Sequence, residues 1–464
     1  MTAVMWFRRD FRLEDNTALY NAIKNNNKIL PIFNINPEQL SDIPTVNQDA
    51  FFASLLNFKK FLDSKGINLN IIYGDVKKCF AELKNKIPDL NCIYFNLDER
   101  GYGGKRDKDM ISYFETNLKV NAHSYLDYNL HGINEVKKPD GNLYKMFTPY
   151  FKKWMTLKKP SPVECYIDSN QFINQNYFPK DEEKLTGLID SNSITKNMSF
   201  GTAYAKKVLS DFINDGLSDY DKQRDFPSVE GTSRLSRFLR TGEISIRMIW
   251  QALLEQPDSD GRTTFMNELC WRDFYNMIYA SHPNQNKVSI KSDFQNIKWS
   301  NNKEQFEAWK NGLTGFPIVD AAMRQLNQTG WMHNRLRMIV ASFLTKDLLI
   351  DWRWGEQYFH ERLIDYDSAS NIGGWQWAAS TGTDSVPYFR IFNPTTQSKR
   401  FDSKGLFIKK YVPELADVPT KFIHEPTKDG YLEDHELNYP KPIVSHKEAR
   451  KWAIEVYKMS KNND

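Results

Sequence analysis

Short apolar runs recur early in the chain: AVMWF at 3–7, ILPIFNI at 29–35, LNIIY at 69–73 and CIYF at 92–95. Between them the period of the apolar positions changes. Phe51, Leu55, Leu56, Phe58, Phe61 and Leu62, with Lys59 among them, recur at helical spacing. Strands alternating with helices predict an α/β domain over 1–130, built on a doubly wound parallel sheet. No GxGxxG follows the first run, so a dinucleotide fingerprint is absent.

From 131 to 200 the pattern weakens. Pro139, Pro149, Pro160, Pro162 and Pro179, with many Asn, Lys and Ser, predict a long surface connector with short helical turns, one of them over 147–157. From 201 to 464 helical periodicity dominates, broken by loops of Gly, Pro and Asn, and predicts one large all-α domain. Its last element is a charged amphipathic helix from 446 to about 458.

The densest stretch of the chain is 331–392. Trp331, Trp352, Trp354, Trp375 and Trp377 all fall there. Leu336, Ile339, Val340, Phe343 and Leu344 predict a helix over 331–350 with one buried face, and Asn334, Arg337 and Met338 share another side of it at i, i+3 and i+4. A second helix is expected over 355–363. Asp365 and Asp367 flank Tyr366, and Gly373-Gly374 is expected to turn the backbone sharply before Trp375. Packing alone accounts for the aromatics. It does not account for an Asn, an Arg and two Asp among them, each costly if buried without partners. They suit the lining of a polar, ring-shaped ligand.

A chain of 464 residues allows two or three domains. Its 26% charged and 40% hydrophobic residues are ordinary for a soluble globular protein. The net charge of +4 is too mild to nominate a nucleic-acid partner, but between Lys222 and Arg247 six basic residues meet three acidic ones. That local excess suits either a phosphate backbone or a solvated helix face. Cys79, Cys92, Cys165 and Cys270 have neither CxxC pairing nor metal-like spacing, which implies reduced thiols. The first residues reach charge at Arg8 without a signal-like apolar stretch, and no run approaches the ~18 apolar residues of a membrane span, so a soluble, cytoplasmic protein is expected.

Two more segments carry candidate chemistry. Thr232, Ser233 and Ser236 gather hydroxyls at an expected helix start, where unpaired N–H groups favour anions. Glu268, Trp271, Arg272 and Tyr275 fall at i, i+3, i+4 and i+7, one stripe of a helix. A Glu–Arg surface pair explains two of them, at only about 0.3–0.5 kcal/mol. A tryptophan in the same stripe adds a flat platform beside a carboxylate, which suits a flipped base stacked on a ring and hydrogen-bonded at its edge.

The run NIGGWQWAASTGTDSVPYFRIFNP, together with HNRLRM, TSRLS, NELCWRDFY and the opening WFRRDFRLEDNTAL, resembles the photolyase/cryptochrome family, over nearly the whole chain and closest to bacterial class I cyclobutane pyrimidine dimer photolyases. The resemblance implies an enzyme that binds UV-damaged DNA containing pyrimidine dimers. FAD in its reduced FADH⁻ form would pass an electron to a flipped-out dimer and split it. It implies that Thr232, Ser233, Arg234, Leu235 and Ser236 hold the FAD diphosphate, with Tyr220 upstream. Asn334, Arg337, Asp365, Asp367 and Asn371 would line the flavin, with Arg337 paired to Asp365 and Asn371 facing flavin N5. Glu268, Trp271 and Trp377 would receive the dimer, and Arg272 would lie near DNA or flavin. Trp375, Trp352 and Trp299 correspond to the family's electron-transfer chain.

Other members bear on the finer reading. An amide at Asn371 is the photolyase choice, where animal cryptochromes have Cys and plant cryptochromes Asp. Photolyases for the (6-4) photoproduct carry two histidines, as acid–base partners, where this chain has Asn334 and Met338. A methionine transfers no protons. Cryptochrome-type photoreception and (6-4) repair stand as the alternatives. His333, next to that position, reads as a core or capping residue. Where folate-using members have an Asn-Glu pair, this chain has Tyr102-Gly103, and a Cys-Lys pair becomes Asn286-Lys287. A second, antenna chromophore (methenyltetrahydrofolate or a deazaflavin), another chromophore or none stays open. A monomer is expected.

Overall fold

Every apolar run of the first domain forms a strand. In a computed structural model describing residues 1–189 and 193–461, β1 (Thr2–Phe7), β2 (Ile29–Ile35), β3 (Asn70–Tyr73) and β4 (Leu90–Asn96) pair in parallel, with β5 (Asn121–Tyr125) at one edge. The order is β3-β2-β1-β4-β5. Side chains alternate across the pleat, so one strand feeds two cores. Ala3, Met5 and Phe7 of β1 join Leu19 of α1 (Thr17–Asn25) and Leu55, Phe58 and Leu62 of α2 (Val46–Asp63). Val4 and Trp6 face the other way, onto Phe80 of α3 (Val76–Lys86) and Met110 of α4 (Gly101–Tyr113). Burial on both faces is why these strands read as continuous apolar runs. β5 escaped notice in the sequence because NAHSY is polar. It is a half-exposed edge strand held by its backbone ladder to β4.

By packing, the described chain divides into two compact units: 1–144, 148–218 and 233–280 form one, and 145–147, 219–232 and 281–464 the other. In the first, residues 167–189 pack against the sheet rather than running free over its surface. Phe172 and Leu185 enter one core and Phe178 the other, while Trp154 is fully buried. Asn70 Nδ2 donates to the carbonyl of Gln175 at 3.0 Å, tying this stretch to β3.

The strand order reverses between β1 and β4, and the crevice at such a reversal is where doubly wound sheets take ligands. Here the residues just after β1 bring arginines to it. Arg8 pairs with Asp107, Arg9 and Arg106 with Asp98, and Arg12 with Asp127, which Arg247 also holds. Burial pushes the Asp127 carboxyl up, but the Arg12 and Arg247 guanidiniums outweigh it and hold the group below the usual carboxylate range. Asp98 is held low in the same way by Arg9, Arg8 and Arg106. A cavity of about 20 Å³ remains between Arg9, Glu99, Arg100 and Tyr128, room for about one water.

In the second unit the expected long helix at 331–350 is shorter. It runs Asn334–Ser342 and widens into one π-helical turn, Phe343–Asp347. The next helices are Trp352–Arg362 and Ser368–Ala378. Gly373-Gly374 makes no turn. Both lie inside the last of these, and neither has a positive φ. Gly355, on the helix before it, does have a packing reason: a Cβ there would overlap the Trp375 ring and Leu344. Gly355→Ala is therefore expected to destabilise by about 1–3 kcal/mol through overpacking. A chemical denaturation midpoint equal to the parent's would contradict this. The C-terminal helix runs His446–Lys461 and packs Val456 and Tyr457 against Phe294 and Ile297.

Candidate active site

In the first unit the helix Asp260–Ser281 buries Phe265, Leu269, Cys270, Asp273 and Phe274, and leaves Glu268, Trp271, Arg272 and Tyr275 partly open along one side. The rings of Trp271 and Tyr275 lie 5.3 Å apart at 31°, and Phe274 meets Trp271 edge-on at 5.5 Å. Arg272 turns inward: it donates to Asn129 Oδ1 and to the carbonyl of Leu239, both at 3.2 Å.

On the buried side of that helix, Asp273 accepts from Trp154 Nε1 at 2.8 Å and from the backbone N–H groups of His131 and Leu130. Burial pushes its carboxyl from 3.8 up to about 7. The native state thus keeps a proton that the unfolded chain releases, a stabilisation present below the unfolded value and lost as pH rises through the folded one. Unfolding free energy should fall across that window by at most about 1.4 kcal/mol per pH unit from this group. Urea titrations through the window, on the parent and on Asp273→Asn, check it: equal slopes in the two proteins would count against it.

TSRLS spans the boundary of the two units. Arg234 adopts a positive φ of 55°, the N–H of Leu235 donates to Ser233 Oγ at 3.4 Å, and Ser236 begins a helix of only 6 residues, Ser236–Thr241. Thr232, Ser233, Arg234 and Ser236 are not buried, whereas Leu235 is. Three arginines of the basic stretch around it are engaged within the fold, one of them by carboxylates. Arg247 is buried on Asp15 and Asp127, Arg240 donates to Asn47, and Arg237 donates to the carbonyl of Ser199.

In the second unit Tyr220 is buried, with the Arg224 guanidinium 5.3 Å from its ring. Asn334, Arg337 and Met338 occupy the open side of their helix, whose other side buries Leu336, Ile339 and Val340. His333 caps that helix, its Nδ1 accepting from the N–H of Arg335 at 3.2 Å. Arg337 Nη2 reaches both oxygens of the buried Asp365, at 3.0 and 2.8 Å, while its Nε donates to the carbonyl of Met332. Asp367 caps the helix Ser368–Ala378 by accepting from the Ser370 N–H at 3.0 Å. Along this helix Asp367, Asn371, Gly374 and Trp377 share the open side. A Cβ added to Gly374 would meet nothing within 4 Å, so the space over the helix at that position is clear. A carboxylate-anchored guanidinium, an amide and clear space above a helix fit a planar, polar ring system.

One residue of this site went unread in the sequence. Glu356 accepts from Asn371 Nδ2 at 3.0 Å and from the Tyr366 hydroxyl at 2.8 Å, and burial raises its carboxyl pKa. A carboxylate only accepts, so it turns the Asn371 amide nitrogen inward and leaves Oδ1 as the atom the amide offers elsewhere. Spacing pointed away from this role, because Arg353 sits at i−3 from Glu356. Arg353 is engaged by Asp351 instead.

The predicted tryptophans differ in burial. Trp375 and Trp352 are inside and Trp299 is half-open, its ring 6.1 Å from that of Tyr457. Trp375 itself lies against Trp309 and Phe359, at 6.1 and 5.1 Å.

The chain belongs to the DNA photolyase family. Residues 3–166 match the DNA photolyase model, and residues 265–459 match the FAD binding domain of DNA photolyase. A deoxyribodipyrimidine photo-lyase of Alkalihalophilus pseudofirmus is 44% identical over 98% of this chain and 97% of its own length. Among solved structures, a class III photolyase from Agrobacterium tumefaciens superposes with a TM-score of 0.92 at 31% identity, covering 100% of this chain and 98% of that one. An archaeal photolyase from Sulfolobus tokodaii, solved with two FAD molecules, gives 0.84 at 33%, covering 99% and 100%. Tyr220 and TSRLS lie outside both matched ranges, so their roles rest on resemblance and local geometry. Among the described residues no helix is long and apolar enough to cross a membrane, and no cluster of His, Cys, Asp or Glu is built to hold a metal.

Proposed function

We infer that this protein is a light-dependent DNA-repair enzyme, a deoxyribodipyrimidine photo-lyase that splits cyclobutane pyrimidine dimers using FAD. The observation that carries the reading is the Arg337–Asp365 pair in the same unit as Asn371 and the clear space over Gly374, inside the range that matches a photolyase FAD-binding domain. Bound FAD, reduced and excited by light, supplies a single electron that opens the cyclobutane ring and is then returned, so no net redox change remains.

The chain's own residues do the rest. Asn334, Arg337, Asp365, Asp367 and Asn371 hold and orient the flavin ring. Tyr220 and Thr232 to Ser236 serve the diphosphate end, through hydroxyls and a backbone bent at Arg234. Glu356 presents Asn371 as a neutral acceptor with no proton to give, which suits a flavin kept anionic. Trp271 offers a flat face and Glu268 a carboxylate to the extruded dimer, with Trp377 as a further ring. Extrusion costs a few kcal/mol, less for a damaged pair. Arg272 acts on DNA or flavin only by leaving Asn129 and Leu239. Trp375, Trp352 and Trp299 form the path that refills the flavin from outside.

Met338 beside Asn334 offers no acid–base pair, which favours cyclobutane dimers over (6-4) photoproducts. Arginine–carboxylate pairs occupy the crevice between β1 and β4 and leave a cavity of about 20 Å³ there, and an antenna, whether folate, deazaflavin or another chromophore, stays open. We place the protein in the cytoplasm, a reading its four free cysteines support, and take it to act as a monomer. The test offers the purified, reduced protein oligonucleotides bearing one or the other lesion under blue light. Light-dependent loss of the cyclobutane dimer alone is expected. Failure to cleave it, with flavin bound, would revive the cryptochrome reading.

A further inference from the structure

We propose that Gln376 is a positioning residue, whose hydrogen bonds to the 285–290 loop hold the C-terminal end of the helix Ser368–Ala378 and so aim Trp377 at the dimer. The proposal rests on the reading of Trp377 as a ring of the dimer site. Gln376 is 1% exposed and lies on the back of that helix with Ala369 and Ile372, away from the open side of Asp367, Asn371, Gly374 and Trp377. Its Nε2 donates to the carbonyls of Gln285 and Val288, at 2.6 and 3.2 Å. Its Oε1 accepts from the N–H of Ile290 at 3.0 Å and from Thr381 Oγ1 at 3.4 Å. Both donor hydrogens and the acceptor oxygen of the amide are therefore in use.

The main chain of the same residue ends the helix. The Gln376 carbonyl accepts from the N–H groups of Thr381 and Gly382, at 2.9 and 3.0 Å, and the Thr381 carbonyl accepts from the Lys291 N–H at 2.8 Å. A Cβ at Gly382 would stand 2.9 Å from that of Gln376, so the returning chain lies tight against it. The helix, the 285–291 loop and the turn at 380–382 thus meet at one residue.

Direction is what these bonds add. Ala369 and Ile372 are held by apolar burial, which has no preferred angle, whereas a hydrogen bond weakens steeply when bent. The far end of the helix is fixed separately, by the Asp367 cap. At the rise of an α-helix, Asn371 stands about 6 Å along the axis from that cap and Trp377 about 15 Å. A tilt of about 8° about the cap would carry Trp377 by about 2 Å and Asn371 by less than about 1 Å. A binding constellation tolerates about 0.5 Å. Gln376 therefore bears on the dimer more than on the flavin.

The test uses holoprotein with reduced flavin, and compares Gln376→Leu, Gln376→Glu, Trp377→Ala, and Gln376→Leu combined with Trp377→Ala. Each is titrated with an oligonucleotide bearing one cyclobutane dimer and with undamaged duplex, and repair is timed at saturating DNA under blue light. Both Gln376 variants should keep their flavin and bind undamaged duplex as the parent does. Affinity for the dimer should fall by about tenfold, most of one stacking contact, and the saturated repair rate by far less. Gln376→Glu keeps the size and an acceptor oxygen but loses the donors to Gln285 and Val288, so it carries the test if Gln376→Leu does not fold. Added to Trp377→Ala, Gln376→Leu should cost nothing further, because no ring is left to aim. The proposal is overturned if dimer affinity stays at the parent's level, if damaged and undamaged DNA lose affinity equally, if both Gln376 variants lose flavin, or if the losses in the double variant add. If Trp377→Ala alone binds the dimer like the parent, the reading of Trp377 fails first, and the proposal with it.

Discussion

Arg337→Ala is expected to yield a protein that purifies without flavin colour. Arg337 is the partner of Asp365, whose side chain is 3% exposed, and it donates to both carboxylate oxygens. Removing one member of a buried pair strands the other, at a cost of about 3–5 kcal/mol. The arginine is itself about a quarter open, which argues for the lower end of that range. A domain with about 5–15 kcal/mol in hand can survive such a loss. The flavin site cannot keep its shape, because the guanidinium also fixes the Met332 carbonyl at the entrance to the Asn334–Ser342 helix. Asp365→Asn, which keeps an acceptor oxygen for a guanidinium that is itself about a quarter open to water, should lose less. The checks are the visible absorption spectrum and the thermal midpoint of the two variants. An Arg337→Ala protein as yellow and as stable as its parent would refute the site.

Trp271→Ala is the second large effect, and it should spare the flavin. Trp271 is partly open and touches Phe274 and Tyr275 of its own helix, so the fold loses little. What it loses is a stacking face, worth about 1–3 kcal/mol per base by alanine substitution. Since about 1.4 kcal/mol is tenfold in affinity, binding of dimer-containing DNA at fixed salt should weaken by roughly tenfold to a hundredfold. Trp271→Phe should restore part of it. Unchanged affinity together with an unchanged repair rate would remove Trp271 from the substrate site.

Much of this site was visible in the sequence because helical spacing sorts residues onto faces before any contact is known. Glu268, Trp271, Arg272 and Tyr275 emerged on one open stripe for that reason, as did Asn334, Arg337 and Met338. Pairing was less visible. That Arg272 is held by Asn129, that Arg247 is buried on Asp15 and Asp127, and that Glu356 orients Asn371 all involve partners distant in sequence or at misleading spacing. Gly373-Gly374 misled because glycine signals either a turn or a close approach, and only the surrounding packing tells which.

By itself the sequence determined the alternation of strands and helices over 1–130, the helical character of the remainder, and the family with its flavin. These are properties of period and motif, and both are local. Only the tertiary structure decided where charges end: which arginines close the crevice beside β1, how a buried carboxylate sets an amide, and that Trp375 rests against Trp309 as well as Phe359. Those outcomes depend on distance between residues far apart in the chain, and desolvation makes each buried charge seek a partner wherever the fold brings one.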